Sequence, residues 1–504
     1  MTGDFTVLRG GLLLDIGRQD SYPADILIEG DTIREIGAPG MAAPEGATVE
    51  DASGRLILPG LVNAHTHGHG ALAKGLGDRW SLELLLNAAP WTGGGFTHED
   101  KRIAARLNAA EMVLKGCTAA YDMFFEFPTA TPEGIAAIGA GYRDVGMRAV
   151  IAPMMADIPF FRSIPGLMDL LPAPHRDRIA AMEAAPFDTH LAQCRRIVES
   201  WAFDLDAVRP ALGPTIPLMC TDDFLRGCRD LARDHGLGIQ MHLAESPVQA
   251  VSAARRYETT LAARLDALGL IDARFTAAHG VWLTDADMAM MAERGASVAH
   301  NPGSNLRLGS GIARVRAMRD AGLCVGIGTD GSGSSDNQNM FEAMRMAAFV
   351  SRVVTKPPET WFGTWEVLEM ATAGSAQALG MGDAIGRIAP GYKADMVLLD
   401  LASVNYVPLN NPANQVVNCE DSSAVSAVMI GGRMVLRDRR FTGFDFDKLR
   451  ADVAAAVARI QAANAGTRAE FEAVARFVSH HCVGLCPDAP NPQNPPLRHA
   501  PHAR

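Results

Sequence analysis

The sequence predicts an α/β protein: a (β/α)8 TIM barrel joined to a composite β-sandwich that both ends of the chain build. Three observations predict it. Short strands and turns fill residues 4–58 and return after residue 386. Between them, apolar strand-like runs alternate with amphipathic helical stretches eight times. Four of those runs end in His, Glu or Asp, at what would be the C-terminal mouth of a barrel, the face where such barrels carry their active sites.

Phe5–Leu8, Ala24–Ile28, Thr32–Ile36 and Arg55–Leu58 read as strands, punctuated by Glu29-Gly30-Asp31 and the Gly37–Gly40 stretch, as antiparallel β requires. The same texture returns in Ala394–Asp400, Ala424–Ile430, a Gly431-Gly432 turn and Arg433–Leu436. Residues 1–58 and 386–445 are therefore expected to share one β-sandwich domain. The middle, 59–385, is expected to be the catalytic barrel, with strands at 57–65, 118–122, 147–153, 208–214, 238–243, 274–279, 296–300 and 324–330. Helices lie between, as in Lys101–Lys115, where Ile103, Leu107, Ala110 and Leu114 recur at helical spacing and Thr97 with Asp100 forms an N-terminal capping pair. Residues 446–478 alternate alanine with charge and read as two helices. The Pro- and His-rich stretch 479–504 reads as a loosely ordered tail, lying across a neighbouring subunit. Its His480, His481, Cys482 and Cys486 match no standard zinc spacing.

With 504 residues the chain can bury a large core, and 48% apolar with 20% charged residues is ordinary for a soluble globular protein. A net charge of −11 excludes a nucleic-acid-binding surface. No run reaches the ~20 apolar residues that span a bilayer. Met1–Phe5 carries an acid and no basic residue, so no secretory leader is expected. The eight cysteines are scattered without a Cys-x-x-Cys pair, the usage of a reduced, cytoplasmic protein.

The chemistry concentrates in four segments. Pro59-Gly60-Leu61-Val62-Asn63-Ala64-His65-Thr66-His67 ends an apolar run in two histidines two positions apart, which share one face of a strand and can converge on one metal. Ile239–Glu245 ends in His242 and Glu245, Phe275–His279 ends in His279, and Cys324–Asp330 ends in Asp330. His65, His67, His242 and Asp330 would give a metal three imidazoles and one carboxylate, a set suited to Zn²⁺ or Fe²⁺. A metal there lowers the pKa of water toward ~7. Asp330 can take the water's proton, Glu245 can protonate a ring nitrogen or leaving group, and His279 can orient the hydroxide and stabilise the tetrahedral centre. Two-metal barrels usually bridge their ions through a modified lysine on the fourth strand. Val208–Pro214 has none, so one divalent metal per chain is expected, zinc first and iron second.

At this point the chain resembles the amidohydrolase superfamily, in the branch that holds S-adenosylhomocysteine/methylthioadenosine deaminases, guanine deaminases and s-triazine hydrolases. The residues that carry the resemblance are PGLVNAHTH (59–67), EMVLKGCTAAYDM (111–123), QMHLAE (240–245), AAHGVWLT (277–284), VAHNPGSNLRLGSGIA (298–313), VGIGTDG (325–331) and GRIAPGYKADMVLLD (386–400). The resemblance implies the barrel with its sandwich, a single divalent metal held by His65, His67, His242 and Asp330, catalytic roles for Glu245 and His279, a homo-oligomer, and hydrolytic deamination or dechlorination. Trp80–Gly95, Ser334–Met340 and Met154–Met168 depart from the family's pattern where substrate is walled in. The expected function is hydrolytic deamination of a small aminated heterocycle of purine, pterin or triazine type. Removal of chloride or alkylamine, amide cleavage, and a non-catalytic metal-binding subunit are the alternatives, the last disfavoured by the intact Glu245 and His279 pair.

Lesser candidates have two readings each. His69 contacts substrate or is a solvated loop residue. His300 lines the pocket or is a hydrogen-bonded structural histidine. Ser304 and Asn305 bind substrate or brace their loop. Arg162 and Arg307 pair with a substrate carboxylate or face solvent. Trp80, Trp91, Phe124 and Phe125 stack on a flat ring or fill the core.

Overall fold

A computed structural model describes residues 4–355 and 357–486; the expected tail beyond Cys486 lies outside them. The N-terminal end supplies β1 (Phe5–Asp15), β2 (Asp20–Glu29), β3 (Thr32–Gly37), β4 (Thr48–Asp51) and β5 (Arg55–Pro59). The barrel strands follow as β6 (Leu61–Thr66), β7 (Cys117–Phe125), β8 (Arg148–Met155), β9 (Val208–Pro214), β10 (Gly238–Leu243), β11 (Phe275–His279), β12 (Ser297–His300) and β13 (Cys324–Ile327). The C-terminal end adds β14 (Met396–Asp400), β15 (Val425–Ile430), β16 (Arg433–Arg437) and β17 (Arg440–Phe441).

β6 to β13 pair in chain order as one parallel eight-stranded sheet, helices intervening as parallel crossovers require. The remaining strands form a separate nine-stranded mixed sheet, in which β5 joins the two ends of the chain by pairing parallel with β1 and antiparallel with β14. That sheet coils on itself, with the Ile33 amide donating to the Tyr392 carbonyl at 2.8 Å. Alternation along β5 divides its side chains: Ile57 enters the core of the end sheet with Leu13, Ile28 and Met396, while Leu56 and Leu58 join the large core shared with the barrel's helices. Inside the barrel, Val62, Tyr121, Met123, Val150, Ala211 and Ala299 converge against Ala376, Leu379 and Ile385. Among the described residues no helix is long and apolar enough to cross a membrane.

Among the differences from the sequence expectation, which include a longer β1 and β7 and the additional β4, three bear on the site and the last helices. The run 57–65 is two strands in two sheets, broken at Gly60, where a Cβ would collide with the Thr118 side chain. The eighth barrel strand stops at Ile327 rather than 330, because Asp330 turns into the left-handed region at φ +63°. The last helices run Phe446–Ala463 and Ala465–Leu485, past residue 478, since Val478, Cys482 and Leu485 continue the buried apolar stripe of Phe471 and Val474.

Closure of the barrel depends on glycine. A Cβ on Gly328 would collide with Asn301 Oδ1 and sit 2.9 and 3.0 Å from the backbone N and O of His65; one on Gly326 would sit 3.0 Å from the Ala64 Cβ. Gly328→Ala should therefore destabilise the protein by ~1–3 kcal/mol through overpacking. Gly466→Ala, in a helix where nothing lies within 4 Å of the added carbon, should be neutral or stabilising by up to ~1 kcal/mol. Thermal unfolding of the two variants checks this, and equal midpoints would contradict a tight seam.

Candidate active site

The strand ends bring the predicted residues to one point. His65 ends β6 with His67 just beyond it, His242 lies on β10 with Glu245 two residues past that strand, His279 ends β11, and Asp330 follows β13. His65 and His67 Nε2 lie 3.5 and 3.2 Å from Asp330 Oδ1. His67 Nε2 and His242 Nε2 are 3.0 Å apart. Two overlapping donor groups result, His65–His67–His242 and His65–His279–Asp330, each with all ligand atoms within 4.8 Å of one another.

The hydrogen bonds on the far side of each ring decide what these nitrogens are. His65 Nδ1 meets Gln240 Oε1 at 2.7 Å, and that amide is oriented by its own Nε2 donating to the Ala64 carbonyl at 3.0 Å. His67 Nδ1 meets the Met123 carbonyl at 2.6 Å and His242 Nδ1 the Thr215 carbonyl at 2.9 Å. An acceptor faces every Nδ1, so every Nδ1 carries the hydrogen and every Nε2 presents a bare lone pair. Two bare lone pairs 3.0 Å apart repel unless a cation lies between them. His65 Nε2 is also buried without a partner. The donor set thus fits a divalent metal, with the ring orientations fixed as metal-ligating histidines require.

Charge is tuned to match. Burial pulls His67 down to about 4, outweighing the pull of Asp330, and drives His242 well below its ordinary range. For Asp330 burial acts upward, but the imidazoles of His65, His67 and His279 around it hold its carboxyl well below the usual range. Ser304 Oγ donates to Asp330 Oδ2 at 2.6 Å and the Gly331 amide to Oδ1 at 2.7 Å. Glu245 goes the opposite way: burial, then the charges of Asp330 and Glu83, raise it well above the carboxylate range. Its Oε2 has no partner, while its Oε1 lies 3.7 Å from His279 Nε2. His279 donates from Nδ1 to Asn305 Oδ1 at 2.9 Å, leaving its Nε2 bare and unpartnered. His279 and Asp330 both hold positive φ, at +76° and +63°, backbone strain of the kind that collects at functional sites.

A cleft opens above this cluster, walled by Trp80, Leu82, Leu85, Leu86, Met154 and Ile216, with His69, Thr92, Thr215 and Ser334 as its other polar side chains. Of the lesser candidates, His69 and Trp80 line it. Burial, then His67, hold the His69 ring at about 3, and its Nδ1 accepts the Phe125 amide at 3.2 Å. Ser304 and Asn305 do not reach the cleft as substrate contacts; they hold Asp330 and His279. Trp91 lies behind the wall, edge-on to Trp80 at 6.1 Å and under the Arg468 guanidinium at 4.9 Å. Arg162 is exposed and donates to the Ala180 carbonyl, and Arg307 is taken by Asp336 and the Gly77 carbonyl. His300 is buried beneath the site with neither ring nitrogen partnered.

Sequence reasoning gave no role to Gln240 or Gln338, and it placed the wall in the Trp80–Gly95 segment without singling out Leu82, Leu85 and Leu86. Gln240 was available in principle, since it lies two residues before His242 and so shares its strand face. The others needed the fold, because they reach the site from a helix and a loop.

A sequence profile of the Amidohydrolase family matches residues 56–435. The chain is 30% identical over 460 residues to a 5-methylthioadenosine/S-adenosylhomocysteine deaminase of Desulforamulus reducens, covering 90% of this chain and 98% of that one. Its fold matches an adenosine deaminase from Xanthomonas campestris with bound zinc at a TM-score of 0.81 and 27% identity, over 91% of this chain and 99% of that one. It matches atrazine chlorohydrolase from Arthrobacter aurescens, complexed with zinc, at 0.80 and 26%, over 90% and 100%.

The Gln240 amide fixes the His65 ring, so Gln240→Leu should weaken metal binding ~10–100-fold while the protein stays folded. Competition against a chelator of known affinity measures this. Wild-type affinity would show that another group sets the His65 tautomer.

Proposed function

We propose that this chain, which belongs to the amidohydrolase family, is a metal-dependent hydrolase that removes the amino group of an aminated nitrogen heterocycle of purine, pterin or triazine type. One observation carries the reading: bare Nε2 lone pairs of His67 and His242 converge at 3.0 Å in the same cleft as a buried Glu245, whose carboxyl burial holds well above its ordinary range. A structural metal site would be closed and would need no such acid.

His65, His67, His242 and Asp330 would hold the ion, and three imidazoles with one carboxylate suit zinc first and ferrous iron second. The adenosine deaminase and atrazine chlorohydrolase that the chain resembles both carry zinc. A divalent metal so held supplies Lewis acidity and, by lowering the pKa of water to about 7, a nucleophile at neutral pH.

The chain's own residues do the rest. Asp330, already ionised, accepts the proton of the attacking water at its carboxylate. His279 accepts a hydrogen bond at its bare Nε2 and so aims that water at the ring carbon. Glu245 gives its proton to the adjacent ring nitrogen as the carbon becomes tetrahedral. The proton held at Asp330 then reaches the amino group, which departs as ammonia, while the new hydroxyl on that carbon gives up its proton to form the oxo group and that proton restores Glu245, the ring nitrogen keeping the one it received. Water and the aminated ring are consumed, and the oxo ring and ammonia are released.

Loss of chloride or alkylamine from such a ring is the second reading, favoured by the likeness to atrazine chlorohydrolase. Product analysis separates the two. Assembly as a cytoplasmic homo-oligomer belongs to the same proposal and rests on the family resemblance and on the free thiols, most of them buried.

Glu245→Gln should keep its metal and lose ~10²–10⁴-fold in kcat. Ammonia release from a panel of aminated purines, pterins and triazines, with and without chelator, provides the assay. A near wild-type rate for the variant would remove Glu245 from the mechanism, and ammonia release that survives metal removal would remove the metal.

A further inference from the structure

The cleft says which rings can enter. Among the described residues the lining holds two acids, Asp330 and Glu245, and neither lysine nor arginine; Trp80, Leu82, Leu85, Leu86, Met154 and Ile216 make the wall. The two arginines that the sequence offered as partners for a substrate carboxylate are committed elsewhere, Arg162 at the Ala180 carbonyl and Arg307 at Asp336 and the Gly77 carbonyl. A carboxylate or phosphate on the substrate's outer edge would lose its water against leucine side chains and find no partner, with two acidic residues below it.

One polar group on the wall has its direction fixed. The Phe125 amide donates to His69 Nδ1 at 3.2 Å, so Nδ1 is an acceptor and the ring's hydrogen sits on Nε2. Among the described residues no hydrogen bond within the protein uses that Nε2, and the ring lines the cleft, 5.3 Å centre to centre from His67. A donor on a mostly apolar wall, beside the metal donors and fixed in direction, is a specificity element: an acceptor on the substrate can meet it.

We propose that the site selects an aminated heterocycle that bears no carboxylate or phosphate, lies against the Trp80–Leu86 wall, and accepts the Nε2 hydrogen of His69 with a ring nitrogen or oxo group. This rests on the deaminase reading for the ring but not on the leaving group. It separates this site from one built for a substrate with an amino-acid or phosphorylated tail.

The test measures binding, so that it does not depend on turnover. Zinc-loaded Glu245→Gln protein is titrated by equilibrium dialysis with two matched pairs: ethyladenine against carboxymethyladenine, and ethylmelamine against carboxymethylmelamine. In at least one pair the ethyl compound should bind ~30-fold or more tighter than its carboxymethyl partner. Adding His69→Leu should weaken the ethyl compound ~10-fold. His69→Gln, whose amide offers both an acceptor to the Phe125 amide and a donor to the cleft, should restore most of it, and zinc content of each variant shows that the site has folded. Equal binding within both pairs, no binding in either, or an unchanged affinity in His69→Leu would each overturn the proposal. If the preference holds while wild-type protein frees no ammonia from either ethyl compound, the deamination reading falls and this inference stands.

Discussion

The amide of Asp330 donates to the carbonyl of His65 at 2.9 Å, and this bond joins the last barrel strand to the first exactly where the metal donors must meet. β13 has only four residues and no ladder with β6, so the seam is made by other means. The Thr329 amide donates to Asn63 Oδ1 at 3.0 Å, and Asn63 Nδ2 returns a bond to Thr329 Oγ1 at 2.7 Å. Gln338, fully buried, accepts from the Thr66 and Thr329 hydroxyls and donates to the Asp330 carbonyl at 2.7 Å. Asp330 at positive φ costs ~1–3 kcal/mol, and such a residue persists only where its surroundings over-determine it. Here the surroundings are the closure of the barrel itself. Fold and site share one set of contacts, and neither can relax without the other.

The same region accepts an electrostatic penalty that packing elsewhere must offset. His65 Nε2, His279 Nε2 and Glu245 Oε2 are buried without protein partners, and each such atom would cost ~1–3 kcal/mol if no metal, water or substrate met it. Orphaned atoms are rare in native interiors, and these converge on one point. The core around them is large and closely divided between barrel, helices and end sheet, which is what lets the site keep atoms reserved for a metal, a water and a substrate.

Much of this was legible in the sequence because strands write their function locally. His65 and His67, His242 and Glu245, His279 and Asp330 each sit within three residues of the end of an apolar run, so periodicity and the barrel rule place them together without coordinates. The end sheet was legible for the same reason. Three things were not. At Gly60 the Thr118 side chain of the neighbouring strand β7 leaves no room for a Cβ, a contact that no local pattern carries. The end of β13 depends on a left-handed turn at an aspartate, where propensity would have continued the strand. The roles of Ser304 and Asn305 needed distances, because a hydroxyl and an amide at a loop serve substrate and scaffold equally well on paper.

Substrate choice was least legible, and the reason is topological. One side of the wall is the helix Leu82–Thr92, and what holds it comes from nearly four hundred residues further on. Asn87 donates to the Phe471 carbonyl at 2.9 Å, and Asn464 bonds the Trp91 and Gly94 carbonyls at 3.0 and 2.9 Å. Ala88 and Trp91 pack with Phe471, Val474, Val478 and Cys482 in one buried cluster. The chemistry is thus built on strand ends that the barrel fixes, whereas the shape of the cleft is set by a helix pinned from outside by the last two helices of the chain. A change in either of those helices would reach the substrate without touching a catalytic group. The two kinds of information, reaction and substrate, are held by separate layers of the fold, which is how one barrel can keep its chemistry while its specificity drifts.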